Sequence, residues 1–145
     1  MSSIKYVITI LLMILVSSSI LSAELVVVVH KDNPVSELSR KQVLDIYMGR
    51  KKTFPSGLTA KPVDLPDDAH ETKAFYGGVV KKSVPEIKAY WARLLFTGRA
   101  TPPVPLASQI DVLNYFSDHK NAIAYISPDR VSDKVKVVYR VKDEL

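Results

Sequence analysis

Three histidines, His30, His70 and His119, are the natural place to look for metal or acid–base chemistry, and there is no cysteine. None of the three has a partner at metal-ligand spacing. His70-Glu71 opens a His-Glu-x-x-His pattern, but Ala74 stands where the second histidine belongs. They read as solvated or internally satisfied side chains, and no metal site is expected. Without cysteine there is neither a thiol nucleophile nor a thiolate ligand. The serines fall mostly in the first 23 residues or at helix starts, and no Gly-x-Ser-x-Gly elbow is present. Asp67-Asp68 invites a reading as paired acid–base carboxylates or calcium ligands. A twelve-residue calcium loop is absent, however, and Asp68 is already explained as a helix cap in Asp68-x-x-Glu71. No glycine-rich phosphate loop occurs, since Gly77-Gly78 lacks a Lys-Ser/Thr at Walker spacing. The chain is therefore expected to be no enzyme, with no catalytic residues and no cofactor.

Binding remains. An anion can sit at a helix N-terminus, and the stretch from Asp68 to Thr72 is the natural candidate. Asp67, Asp68 and Glu71 put three negative charges there, which repel a phosphate and suit an unliganded helix start. Arg50-Lys51-Lys52 and Lys81-Lys82 are basic runs that can attract an acidic surface, and the plainer reading is a solvated edge. Tyr90-Trp91 is explained by core packing.

The elements that must carry these residues follow from pattern. Glu24 to His30 is an apolar, β-branched run, predicted as a strand buried on both faces in a mostly parallel sheet. Ser39-x-x-Gln42 is a capping box opening a helix with Val43, Leu44 and Tyr47 inward, ended by Gly49. Lys61 to Leu65 predicts a second strand, whose Pro62 suggests an edge or a first position. A second helix runs through Thr72 to Tyr76, weakened by Gly77-Gly78 at about 1 kcal/mol each. Ser83-x-x-Glu86 starts the strongest helix, with Ile87, Tyr90, Trp91, Leu94 and Leu95 on one face and Gly98 at its end. Thr101 to Pro105 reads as a rigid extended connector. Ser108 caps a fourth helix with Val112, Leu113 and Phe116 inward. Ala122 to Ile126 and Val135 to Val141 are the last strands. The order β-α-β-α-α-α-β-β predicts an α/β fold, a small mixed sheet flanked by about four helices.

Of the 145 residues, 20 are Lys or Arg and 15 are Asp or Glu. Residues 1–23 hold one charge, Lys5, then an apolar run from Tyr6 to Val16 and a small-residue exit at Ala23. That is the pattern of a cleaved signal peptide, and the run is too short to span a bilayer, which takes about 20 apolar residues. Residues 24–145 then form one domain with no stable membrane span. Taking 23 residues from 145 leaves 122, and taking Lys5 from the 20 basic residues leaves 19, a net charge near +4. This excess is too mild for a nucleic-acid binder, and none is expected as partner. The chain closes on Lys142-Asp143-Glu144-Leu145, the retrieval address of the endoplasmic reticulum lumen if the source is eukaryotic, and a charged tail in a bacterium.

Leu25 to Ser36, Leu38-Ser-x-x-Gln-Val-Leu-Asp-Ile-Tyr-Met-Gly49, Pro62 to Pro66, Phe75-Tyr76, Ala89 to Gly98 and Asn121 to Tyr125 together carry a resemblance. In order and spacing they look like the second lobe of the phosphate-binding proteins of bacterial ABC importers. The resemblance implies a single lobe of a periplasmic-binding-protein-like fold, a periplasmic location and phosphate or another small anion as ligand. It also implies an arginine followed by a Ser-Gly-Thr turn before the helix carrying Phe75. This chain has Leu65 to Thr72 there, with neither feature, so the phosphate-ligand motif is expected to be lost. His70 and Thr72 are the remaining candidate ligand donors. An envelope protein partner or a homodimer is the alternative occupant, acting through the face a second lobe would cover.

Overall fold

The computed structural model describes residues 24–142. The expected signal peptide, 1–23, and the tail beyond Lys142 lie outside the described residues. Strand β1 (Leu25–His30) runs into a turn held by Asn33, whose side-chain oxygen accepts from Val35 N–H at 2.9 Å. Ser39 then caps helix α1 (Arg40–Tyr47), and its capping box with Gln42 forms as predicted. Gly49 follows at φ 72°, where a Cβ would stand 3.0 Å from the Trp91 ring, so glycine is required by both backbone and space.

After β2 (Lys61–Asp64) comes α2 (His70–Phe75), which widens into a π-helical turn over Tyr76–Val80. Ser83 caps α3 (Val84–Thr97) through a full capping box with Glu86, and Gly98 ends it in the left-handed conformation. The two-residue strand β3 (Val104–Pro105), α4 (Gln109–Asp118), β4 (Ala122–Ile126) and β5 (Val135–Val141) complete the chain. The sheet order is β3-β2-β4-β1-β5. β2 is parallel to β3 and β4, whereas β1 is antiparallel to β4 and β5.

Several expectations need correction. β1 is buried throughout, as predicted, but it pairs antiparallel on both sides. Burial on both faces reports a central strand under cover and carries no information on direction. The proline connector contributes β3, so β2 is not the edge; Pro62 sits ahead of the point, at Val63, where β3 begins to pair. Asp68 does not cap α2. The cap residue is Ala69, with no side-chain hydrogen bond, because a turn closed by Ala69 N–H to Pro66 O at 3.0 Å delays the helix start. Leu95 points outward and is 57% exposed, while Ile87 and Trp91 are buried. Gly78, expected only to weaken its helix, lies so close to β5 that a Cβ would meet Val141 Cγ1 at 2.5 Å.

The core centres on Val26 to Val29, all fully buried, each contributing about 1.5–3 kcal/mol. Beside them, Phe75 stacks on Tyr125 with ring centroids 4.3 Å apart and contacts Tyr47 at 4.5 Å. The Tyr47 hydroxyl lies 2.8 Å from Val63 O and 3.1 Å from Ile123 O, tying α1 to both parallel strands.

Candidate ligand-binding site

The carboxyl ends of β2, β3 and β4 share one edge of the sheet, and α2 and α4 begin there. In open α/β sheets ligands bind in such a crevice. β2 ends on Asp64, where the pleat turns a carboxylate toward the start of α2. Tyr76 donates to Asp64 Oδ2 at 2.6 Å, Leu65 N–H donates to Oδ1 at 3.2 Å, and Tyr125 donates to Oδ1. The π-helical turn that begins at Tyr76 and β4 thus each bring one phenol to the same carboxylate.

Burial raises the Asp64 carboxyl above its ordinary 3.8, against the lowering effect of the two phenol hydrogen bonds, with a small further rise from Asp67. Burial and the Asp64 carboxylate also push the Tyr76 and Tyr125 phenols far above their ordinary value. Tyr125 Oη stands 3.1 Å from Thr72 Oγ1, and Thr72 donates to Pro66 O at 2.7 Å. The cluster is an internal hydrogen-bond chain that holds the loop from Leu65 to Ala69.

Above it opens a groove of about 310 Å³ between the starts of α2 and α4, lined by Asp68, Glu71, Ser108, Gln109, Ile110 and Arg130 among others. Gln109 clamps its floor. Its Nε2 donates to Glu71 Oε1 at 3.2 Å and to Ser127 Oγ at 3.3 Å, and its Oε1 accepts from Ser127 N–H at 2.7 Å. Arg130 is the single cation of that lining, against Asp68 and Glu71.

Thr72 is buried beneath the groove, with its hydroxyl engaged as above. His70 is exposed on the first turn of α2 and does not line the groove, so the structure does not bring the two together. His30 is buried and accepts from Asp32 N–H at Nδ1, 3.0 Å; His119 stacks on Tyr115 at 3.8 Å. Among the described residues no group of histidines and carboxylates is arranged to hold a metal. Asp64, Tyr76, Tyr125 and Gln109 escaped the sequence reading. Asp64, Tyr76 and Tyr125 fall in segments that carry the resemblance, and nothing in the sequence says that they meet.

No family model matches the chain, and no curated protein matches it. Solved structures do. A Clostridium perfringens protein with bound phosphate, assigned to the phosphate ABC transporter substrate-binding proteins, superposes on 80% of the chain with TM-score 0.64 and 24% identity. The fold is periplasmic-binding-protein-like. An ABC-type phosphate transport receptor from Vibrio cholerae follows with TM-score 0.63 and 19% identity, and PstS from Borrelia burgdorferi with 0.61 and 9%, each over 80% of this chain. The chain spans only 45%, 46% and 47% of these three. At such identities the likeness is one of fold.

Proposed function

We propose that this is an exported, non-enzymatic binding lobe of the periplasmic-binding-protein-like kind, related to phosphate importer components but without their phosphate-ligand set. The observation that carries the reading is the charge of the groove. Asp68 and Glu71 line it against Arg130, the single cation of the lining, and Asp64 lies behind it, while the neighbouring Asp67 is paired with Lys88 at 2.5 Å. A phosphate there would face repulsion that water screens only in part. Of the two expected donors, His70 is exposed where an anion can meet it, and Thr72 acts from below by holding Pro66 and Tyr125. The leader-like residues 1–23 support export to the periplasm. No helix among the described residues is long and apolar enough to cross a membrane.

Calorimetric titration of the purified protein with inorganic phosphate tests this. No saturable heat below millimolar phosphate is expected, and micromolar binding would sink the loss of the ligand set.

One observation favours a second reading, an envelope interaction module. Ile110 is 57% exposed on the groove rim, and Val131, next to Arg130, is 38% exposed. A partner protein or a second copy covering them would remove apolar surface from water. A concentration-independent monomer in light scattering would count against self-association.

A further inference from the structure

A second groove lies at the opposite edge of the sheet, where β2 and β3 begin. Two hollows, of about 260 and 420 Å³, adjoin at Ile46 and Lys51, which line both, and are taken together as a trough along α1 and the loop after it. The smaller hollow is lined by Lys51, Lys52 and Lys61 and by no acidic residue. In the larger one the acid is Asp45, which Lys41 Nζ already meets at 2.5 Å and Arg50 Nη1 at 3.9 Å.

We propose that this trough docks an acidic segment of a protein partner, a peptide in which carboxylates alternate with apolar side chains. The charge is not explained by the fold. The C-terminal ends of α1 and α3 abut the trough, but a helix end is worth only about half an elementary charge. Two such ends offset about one of the three lysines. Lys51 and Lys52 have no anionic side-chain partner among the described residues, and Lys61 Nζ sits 5.6 Å over the Tyr115 ring.

The lysines are also held in place by their backbone. Lys51 N–H donates to Asp45 O at 3.0 Å, Ala60 N–H donates to Lys52 O at 2.9 Å, and buried Phe54 anchors the loop between them. The floor selects for a peptide over a small anion. Ile46, Pro62, Pro102 and Val104 line it, and the prolines offer no N–H to an oxyanion. A free phosphate would stay hydrated and gain only screened attraction from exposed ammonium groups. A peptide gains that attraction and also buries apolar side chains, at about 25 cal/mol per Å².

The test uses fluorescence anisotropy of a labelled peptide in which pairs of glutamates alternate with single leucines. The purified protein should bind it saturably, with affinity falling as salt rises. K51E/K52E should weaken binding by about tenfold or more, whereas K73E/K82E, an equal charge reversal at exposed lysines elsewhere, should leave it within about twofold. Circular dichroism and urea midpoints establish that both variants fold. Equal weakening by the two variants would reduce the effect to net charge and overturn the proposal. So would an absence of peptide binding, displacement of the peptide by inorganic phosphate at constant ionic strength, or binding of phosphatidylglycerol vesicles in place of the peptide.

Discussion

Tyr125 on β4 donates its phenolic hydrogen bond to the carboxylate of Asp64, the last residue of the neighbouring parallel strand β2. The two are 61 residues apart, and the bond locks the edge from which both helix starts of the groove depart. Tyr76 reaches the same carboxylate from the π-helical turn. Hydrogen bonds to a charged group contribute about 1.5–3 kcal/mol each.

Tyr125→Phe keeps the ring stacked on Phe75 and removes only the hydroxyl. Leu65 N–H, which also donates to that hydroxyl at 3.2 Å, loses an acceptor. Urea unfolding should show a loss of about 2 kcal/mol. Tyr76→Phe should cost a similar amount, and the double variant should deviate from additivity because both bonds end on one carboxylate. An unchanged urea midpoint in both would mean the cluster contributes nothing to stability.

The pH profile follows from the raised carboxyl of Asp64. Between its ordinary 3.8 and its higher folded value, the native state holds a proton that the unfolded chain has released. Its contribution to stability is therefore full below 3.8 and is lost as pH rises through the folded value. Asp64→Asn removes this titration. Plotted as wild type minus variant, the urea midpoint should fall as pH climbs above the ordinary 3.8. Parallel profiles would refute the assignment.

At alkaline pH the buried phenols act in the same sense. Tyr47, Tyr76 and Tyr125 all have folded values raised by burial, so above their ordinary 10.0 only the unfolded chain ionises them. Stability should drop as pH passes about 10, and the drop should be shallower in Tyr76→Phe. An ultraviolet titration should show these three rings ionising together with the loss of circular dichroism, and ionisation before unfolding would contradict their burial.

Gly78 and Val141 form a contact that glycine alone permits, with the added Cβ only 2.5 Å from Val141 Cγ1. Gly78→Ala should cost about 1–3 kcal/mol, and Val141→Ala in the same chain should recover part of it. Gly77→Ala, one residue away with nothing within 4 Å of its Cβ, should be neutral or stabilising by up to about 1 kcal/mol. Thermal melts of the four chains suffice, and a costly Gly77→Ala would show that the π-helical turn itself demands glycine.

What was legible in advance was local. The capping boxes at Ser39 and Ser83 and the left-handed Gly98 each depend on residues within four positions, and all three form. Asp68 failed as a cap because the turn at Pro66 moved the helix start by one residue. β3 was hidden in a proline-rich stretch and becomes a strand only by pairing with β2. The direction of β1 was hidden too, because hydrophobicity records burial and not polarity of the chain.

Periodicity, caps and breakers, read from the chain alone, were enough for the α/β class and for every α-helix and strand but β3. They also exposed the acidic stretch from Asp67 to Glu71. Folding decided which polar residues meet. Asp64, Tyr76 and Tyr125 become one cluster because β2 and β4 lie side by side and a π-helical turn packs over them. Lys51, Lys52 and Lys61 become one trough because a hairpin loop returns Ala60 to Lys52. Each of those approaches spans from a few to sixty-one residues of chain and is fixed by strand pairing and core packing, which short-range patterns do not encode.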